Sequence, residues 1–285
     1  MILFTDEACL SYEQEGHPER PSRIAGSLNY LRNSHLSLEW GEFEKAEDSV
    51  LLRAHSSEHL DRLNQPRDFD LDTPYFENIS RLAKLATGAA LASMNHALNG
   101  DGAFSLMRPP GHHAERAQAM GFCYLNHIAI CAMEARDRGI DRLAVWDFDA
   151  HHGNGTEAIL FGVEGIRYAS VHQSPCYPET GLSSVENCFN FPVPPFCPID
   201  EHMEALSESW KTLLEFDPQL VLVSAGFDAY ELDPITQMRL RKENFQTLGS
   251  WIKEAGLPTA ALLEGGYSDD LPLLIESFLE GWIES

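Results

Sequence analysis

The sequence predicts a single α/β domain over residues 1–285, with a mostly parallel central sheet that helices cover on both faces. Short apolar runs alternate with segments of helical periodicity along the chain. Several of these runs are apolar throughout, as is typical of strands that are buried on both faces of a parallel sheet. We find no internal repeat and no low-complexity linker that would divide the chain into two domains.

Each predicted element has a local signal. Strands are predicted at the apolar runs, residues 2–4, 103–107, 143–146, 166–171, 220–223 and 259–263. Helices are predicted from Pro21, which fits a first helical turn, and at residues 56–63, 76–98, 126–136, 200–216 and 239–255. The polar residues 64–75 predict a mobile rim loop, and the prolines within 173–198 predict a long loop without a helix.

Composition and charge exclude some classes of partner. The formal net charge of −24 would repel phosphate backbones, and the chain has no basic cluster, so we expect no direct nucleic-acid partner. No stretch approaches the roughly 20 apolar residues that span a bilayer, so we expect a cytoplasmic protein without a membrane partner. The six cysteines form no C-x-x-C pair and suit reduced thiols. The acidic surface could also attract cationic substrates.

Carboxylates and an imidazole follow two of the predicted strands. After the strand at 143–146, Asp147, Asp149 and His151 alternate along the extended chain, and this pattern fits part of a zinc or iron site or, alternatively, a hydrogen-bonded turn. Asp228 follows the strand at 220–223. Asp149, His151 and Asp228 together predict a catalytic zinc site, because three protein ligands leave a position open for water and substrate.

Groups suited to proton transfer follow two further strands. His112 and His113 come after the strand at 103–107 and an Arg108-Pro-Pro-Gly turn, where adjacent histidines are candidates for proton transfer or for a structural role. Tyr267 follows the strand at 259–263 and a Gly-Gly turn, and it is a candidate hydrogen-bond donor or a packed turn residue. Together with a metal, these groups could polarise a carbonyl, activate water and stabilise an oxyanion.

These motifs resemble the histone deacetylase family, specifically its class II-like branch. The resemblance rests on His17-Pro-Glu-Arg-Pro21, Arg108-Pro-Pro-Gly-His-His-Ala, Gly121-Phe-Cys, Asp147-Phe-Asp-Ala-His-His-Gly-Asn-Gly-Thr156, Ala225-Gly-Phe-Asp-Ala229 and Glu264-Gly-Gly-Tyr267. It implies an arginase-deacetylase α/β fold, one catalytic zinc ion (Zn2+) and hydrolysis of an acetylated amine.

The resemblance also implies roles for individual residues. His113 resembles the general base and acid, His112 its electrostatic partner, and Tyr267 the hydrogen-bond donor to the substrate carbonyl. Asp147 resembles a residue that orients His112 and binds a structural potassium ion (K+) together with Ser170 and the backbone carbonyls of Asp149 and His151. Asn154 occupies a position where some relatives have aspartate, so the proton affinity of His113 should differ from theirs.

The resemblance extends to the substrate tunnel. Gly121 and Phe122 resemble one wall of an acyl-lysine tunnel, and Tyr177 resembles the other. Arg20 resembles the arginine beside an acetate-release cavity, with an alternative role in holding the N-terminal loop. Ile235 occupies a gatekeeper position where polyamine-selective relatives have glutamate, which favours a neutral tunnel mouth.

The leading interpretation is a zinc-dependent deacetylase that acts on an acetylated lysine peptide or protein, or on a similar small acetylated amine. The alternative with the same mechanism is a small-molecule amidohydrolase such as an acetylpolyamine deacetylase. A binuclear manganese ureohydrolase needs additional bridging aspartates that we do not find near His151 or Asp228. The complete set of catalytic groups disfavours a noncatalytic acetyl-lysine-binding protein. An oligomer is compatible with the sequence.

Overall fold

The structure, a computed structural model, describes residues 1–283. The strands within these residues are β1 (Ile2–Phe4), β2 (Glu39–Gly41), β3 (Ala103–Ser105), β4 (Leu143–Asp147), β5 (Ile166–Gln173), β6 (Cys188–Val193), β7 (Leu220–Ala225) and β8 (Thr259–Leu263). They form one eight-stranded sheet in the order β2-β1-β3-β8-β7-β4-β5-β6, and neighbouring strands are paired in parallel. The predicted fold class is therefore confirmed.

The helices flank this sheet. Those in the described part of the chain are α1 (Ser22–Arg32), α2 (Asp48–Leu51), α3 (Ser57–Arg62), α4 (Ile79–Leu98), α5 (His127–Asp137), α6 (Asn154–Leu160), α7 (Ile199–Leu214), α8 (Lys242–Ala255) and α9 (Leu271–Ile283). No helix among residues 1–283 combines the length and the apolarity that crossing a bilayer requires.

Each face of the sheet has its own hydrophobic core. In β4, Ala144 and Trp146 belong to one core and Leu143 and Val145 to the other, because successive strand residues point to opposite faces. The ring of the buried Trp146 packs against the ring of Trp210 in α7, with 4.7 Å between the ring centroids. Burial on both faces explains why the central strands are apolar throughout.

The strand register brings the functional loops together. Asp147 at the end of β4 pairs with Ser224 of β7 and Ser170 of β5, and Ser224 pairs with Leu262 of β8, which in turn pairs with Ser105 of β3. The carboxyl ends of five adjacent strands therefore lie in one row. The loops that carry the predicted site residues begin at this row, where parallel sheets commonly bind ligands.

The structure corrects the sequence interpretation in several places. Residues 173–198 are not loop throughout, because they contain β6; Pro192 is tolerated in this strand since β6 lies at the sheet edge. The other edge strand, β2, is three residues long and gave no apolar signal. Helix α9 was not predicted, because its apolar sequence lacks a polar face; it contacts α1 and α8.

Candidate active site

Three buried side chains suited to metal binding meet beyond the ends of β4 and β7. Asp149, His151 and Asp228 are 1%, 8% and 0% exposed. His151 Nδ1 lies 3.2 Å from Asp149 Oδ1 and 2.7 Å from Asp228 Oδ2, and the ligand atoms of the three residues lie within 4.8 Å of one another. Ligands of a tetrahedral zinc ion, bonded at ~2.0–2.2 Å, stand about 3.3 Å apart. The donor types and their spacing fit one such ion.

Backbone amides hold both carboxylates in this arrangement. Ala150 N donates to Asp228 Oδ1 at 2.8 Å, and Gly265 N donates to Asp149 Oδ2 at 2.7 Å. A Cβ atom at residue 265 would lie 2.5 Å from Asp228 Oδ2 and 2.6 Å from Asp149 Oδ2, so the close approach requires glycine. Burial raises the pKa of Asp228, and the charge of Asp149 raises it further, to about 7. Two buried carboxylates this close to each other need a cation nearby to compensate their charge.

His112 is held as a cation beside this cluster. Its Nδ1 lies 3.1 Å from Asp147 Oδ2, which also accepts a hydrogen bond from the Tyr168 hydroxyl at 3.1 Å. Burial alone would lower the pKa of His112, but the charges of Asp149 and Asp147 outweigh it and raise the pKa to about 10. The Asp149 and Asp147 carboxylates therefore favour the protonated form of His112.

His113 has the opposite protonation state. Its ring centroid lies 4.0 Å from that of His112, and its Nδ1 donates to Asn154 Oδ1 at 2.8 Å. Burial lowers the pKa of His113 well below 6.5, and the neighbouring His112 and His151 lower it further. His113 is therefore neutral, and its Nε2 is the nitrogen that can accept a proton.

Glu264 links the end of β8 to the turn that carries both histidines. It is 1% exposed, and its Oε2 accepts hydrogen bonds from the backbone amides of Gly111 at 2.7 Å and His112 at 3.1 Å. The sequence motif contains this glutamate, but its contacts span 152 and 153 positions along the chain. Sequence spacing alone could not reveal this role.

Tyr267, on the loop after β8, lines the same cavity as the two histidines. Its backbone amide donates a hydrogen bond to Asp233 Oδ2 at 2.7 Å. Its ring packs against the ring of Phe122, with 5.8 Å between the ring centroids. The guanidinium carbon of Arg23 lies 4.7 Å from the centre of the Tyr267 ring. These contacts hold Tyr267 in place, and none of them involves its hydroxyl group.

The role of Arg20 beside an acetate-release cavity stays a prediction. Its side chain is 41% exposed, pairs with Asp269 at 2.7 Å and lines a second cavity together with Tyr267. The buried arginine is Arg23, whose Nε donates to Gly266 O at 2.7 Å and whose Nη1 pairs with Glu19 at 3.1 Å. Arg23 is the second residue of α1 and is buried.

The predicted tunnel residues line one cavity with the catalytic candidates. The cavity has a volume of about 450 Å³, and Gly121, Phe122, Tyr177 and Ile235 line it together with His112, His113, His151 and Tyr267. The ring of His17 packs against Phe122 with 4.6 Å between centroids. Ile235 is half-buried, and it presents an apolar side chain to the cavity.

The rim loop is hydrogen-bonded at its C-terminal end, and its mobility stays a prediction. Thr73 Oγ1 accepts a hydrogen bond from the backbone amide of Phe122 at 3.1 Å, and Pro74 O accepts one from the Tyr124 hydroxyl at 2.5 Å. The carbonyl of Asp72 lies 3.1 Å from His17 Nε2. Asp72 therefore lines the cavity from a fixed segment of the loop.

The two predicted side-chain contributors to a potassium site are adjacent. Asp147 and Ser170 are partners in the β4–β5 register. Ser170 Oγ also lies 2.9 Å from His172 Nδ1. Potassium binding at this position stays a prediction.

The chain is similar to known proteins over most of its length. A family model for the histone deacetylase domain matches residues 17–280. The histone deacetylase-like amidohydrolase of Pseudomonas aeruginosa is 36% identical over 89% of this chain and 73% of its own length. The acetylpolyamine amidohydrolase of Mycoplana ramosa is 33% identical over 76% of this chain and 70% of its own length.

Solved structures show the same fold. The crystal structure of the HDA15 HD domain matches with a TM-score of 0.93 and 26% identity, and the match covers 100% of this chain and 91% of that one. The matched family domain spans the cluster of Asp149, His151 and Asp228, both histidines and Tyr267. On this evidence, the chain belongs to the histone deacetylase family of the arginase-deacetylase superfamily.

Proposed function

We propose that this chain is a zinc-dependent deacetylase that hydrolyses the amide of an N-acetylated lysine or a similar linear amine, releasing acetate and the free amine. The observation that carries the proposal is that His151, a member of the cluster Asp149, His151 and Asp228, lines one cavity together with His113 and Tyr267. Family membership supports hydrolysis of an amide, and the donor set Asp149, His151 and Asp228 supports zinc.

Zinc bound by these three residues would supply Lewis acidity to a water molecule and to the substrate carbonyl. His113 accepts the proton of the attacking water at Nε2, because Asn154 occupies its Nδ1. The imidazolium of His112 adds positive charge next to the forming oxyanion. Tyr267 donates a hydrogen bond to that oxygen, and His113 returns its proton to the departing amine nitrogen.

The apolar wall of the cavity favours lysine as the amine. Phe122 and Ile235 can bury the methylenes of an acetyl-lysine side chain, at roughly 0.8 kcal/mol for each methylene. Ile235 offers no carboxylate to a distal ammonium, whose desolvation would need an opposite charge. We therefore propose an acetylated lysine in a peptide or protein as the preferred substrate.

An acetylpolyamine is the second candidate substrate, and one observation favours it. Asp72 lines the cavity, so a carboxylate is present at the mouth despite the neutral Ile235. A turnover panel of acetyl-lysine peptides, acetylspermidine and longer acyl-lysines tests both candidates. A kcat/KM for acetylspermidine about tenfold above that of the peptides, equivalent to roughly 1.4 kcal/mol, would reject the preference for lysine.

A further inference from the structure

The group that orients His113 is an amide, which can face its neighbour in two ways. When Asn154 presents Oδ1 to His113, as in this structure, the imidazole must carry its proton on Nδ1 and leave Nε2 free. When the amide is rotated by half a turn, its NH₂ group faces Nδ1 instead. The neutral imidazole then carries its proton on Nε2 and cannot act as a base toward the cavity.

The far side of the Asn154 amide determines which orientation is stable. Its Nδ2 lies 3.0 Å from Glu115 Oε1, 3.4 Å from Met120 Sδ and 3.5 Å from the carbonyl oxygen of His113. All three neighbours are acceptors, so only the NH₂ group fits on this side. The carboxylate of Glu115 is the shortest of the three contacts and the charged one, and hydrogen bonds to charged groups are the strongest.

The position of Glu115 is itself fixed. Its carbonyl oxygen accepts a hydrogen bond from His55 Nδ1 at 3.0 Å, and its backbone amide donates to Gln118 O at 2.9 Å. Glu115 is outside the set of cavity-lining residues, and its side chain is half-buried. Its side-chain hydrogen bond toward the site is the one to Asn154.

We propose that Glu115 is a positioning residue that locks the amide of Asn154 and thereby selects the catalytically competent tautomer of His113. The consequence for turnover rests on the proposed function, in which His113 is the base; the lock itself does not. Glu115 can have this positioning role because the side chain of residue 154 ends in an amide. A carboxylate there has two equivalent oxygens and needs no lock.

The lock is tested directly by ¹⁵N NMR of histidine-labelled protein, with the His113 signals assigned by comparison with His113→Ala. The imidazole nitrogen shifts of the wild type should report a proton on Nδ1. In Glu115→Leu, which removes the acceptor, the signals should move toward the tautomer protonated on Nε2. An unchanged His113 tautomer in Glu115→Leu would overturn the proposal, whether or not the protein deacetylates any substrate tested.

Kinetics test the consequence of the lock. Glu115→Leu should lower kcat for an acetyl-lysine peptide ~10-fold, with KM and metal content unchanged. This loss is a part of the ~10²–10⁴-fold rate enhancement that a positioned base contributes. Glu115→Gln should retain most of the rate, because its amide oxygen still accepts from Asn154. The matched control is Glu179→Gln, which removes one negative charge from the exposed loop after Tyr177; it should leave kcat unchanged.

The effect of Glu115→Leu in a second variant, Asn154→Asp, distinguishes this positioning role from a purely structural one. In Asn154→Asp there is no amide to lock, and the new carboxylate stands beside that of Glu115, so the two repel each other. Adding Glu115→Leu in this background should raise kcat instead of lowering it. The same fold-loss from Glu115→Leu in both backgrounds would overturn the proposal, whereas full activity of His113→Ala would overturn the proposed function alone.

Discussion

Removal of the Tyr267 hydroxyl isolates one step of the proposed reaction. In Tyr267→Phe the ring keeps its packing against Phe122 at 5.8 Å and its position 4.7 Å from the Arg23 guanidinium carbon, and the backbone bond to Asp233 is retained. The fold and the metal cluster should therefore be unchanged. What is lost is one hydrogen bond to the developing oxyanion, and loss of such a donor typically costs about 10²–10³ in kcat, or ~2.7–4 kcal/mol.

The assay is steady-state turnover of a fluorogenic acetyl-lysine peptide, together with metal analysis of the same preparation. Tyr230→Phe is a matched control, since its hydroxyl bonds to Asp270 at 3.0 Å and lies outside the cavity lining. We expect a loss in kcat with little change in KM for Tyr267→Phe and wild-type kinetics for Tyr230→Phe. Wild-type kinetics in Tyr267→Phe would show that this tyrosine is only a packing residue.

Three further outcomes are expected. His113→Ala should reduce kcat more than Tyr267→Phe does, because it removes proton transfer in both directions; unchanged turnover would reject this base. Glu19→Gln should cost ~3–5 kcal/mol in denaturant unfolding, since it breaks a buried pair with Arg108. Burial would raise the pKa of Glu19, but Arg108 and Arg23 lower it from 4.5 to about 2. This stabilisation should therefore be complete above pH ~4.5 and lost as the pH falls toward 2, in wild type but not in Glu19→Gln.

The sequence was most informative where the chain itself encodes the geometry. The apolar runs at residues 143–146, 220–223 and 259–263 marked three adjacent strands, and parallel pairing then places the loops that follow them at one edge of the sheet. Asp149, His151 and Asp228 could be grouped for this reason, although 77 positions separate His151 from Asp228. Period-two spacing after a buried strand can be recognised locally in the sequence, and the folded chain keeps the arrangement that it predicts.

Contacts set by the fold could not be read in this way. Arg23 was not singled out from the sequence, because only the packing of α1 places its guanidinium over the ring of Tyr267. The edge strand β6 contains Pro192, which reads as a loop unless the strand is known to lie at the edge. The contact of Glu115 with Asn154 joins a loop to the start of α6, 39 positions apart in the chain, so sequence spacing does not reveal it.

The proposed function requires a single catalytic metal ion bound by Asp149, His151 and Asp228. Elemental analysis of the purified protein, read together with deacetylase activity before chelation, after chelation and after zinc is restored, tests this most directly. We expect one zinc ion per chain, loss of activity on chelation, recovery with zinc, and loss of both metal and activity in Asp228→Ala. Two manganese ions per chain, or full activity after exhaustive chelation, would contradict the account.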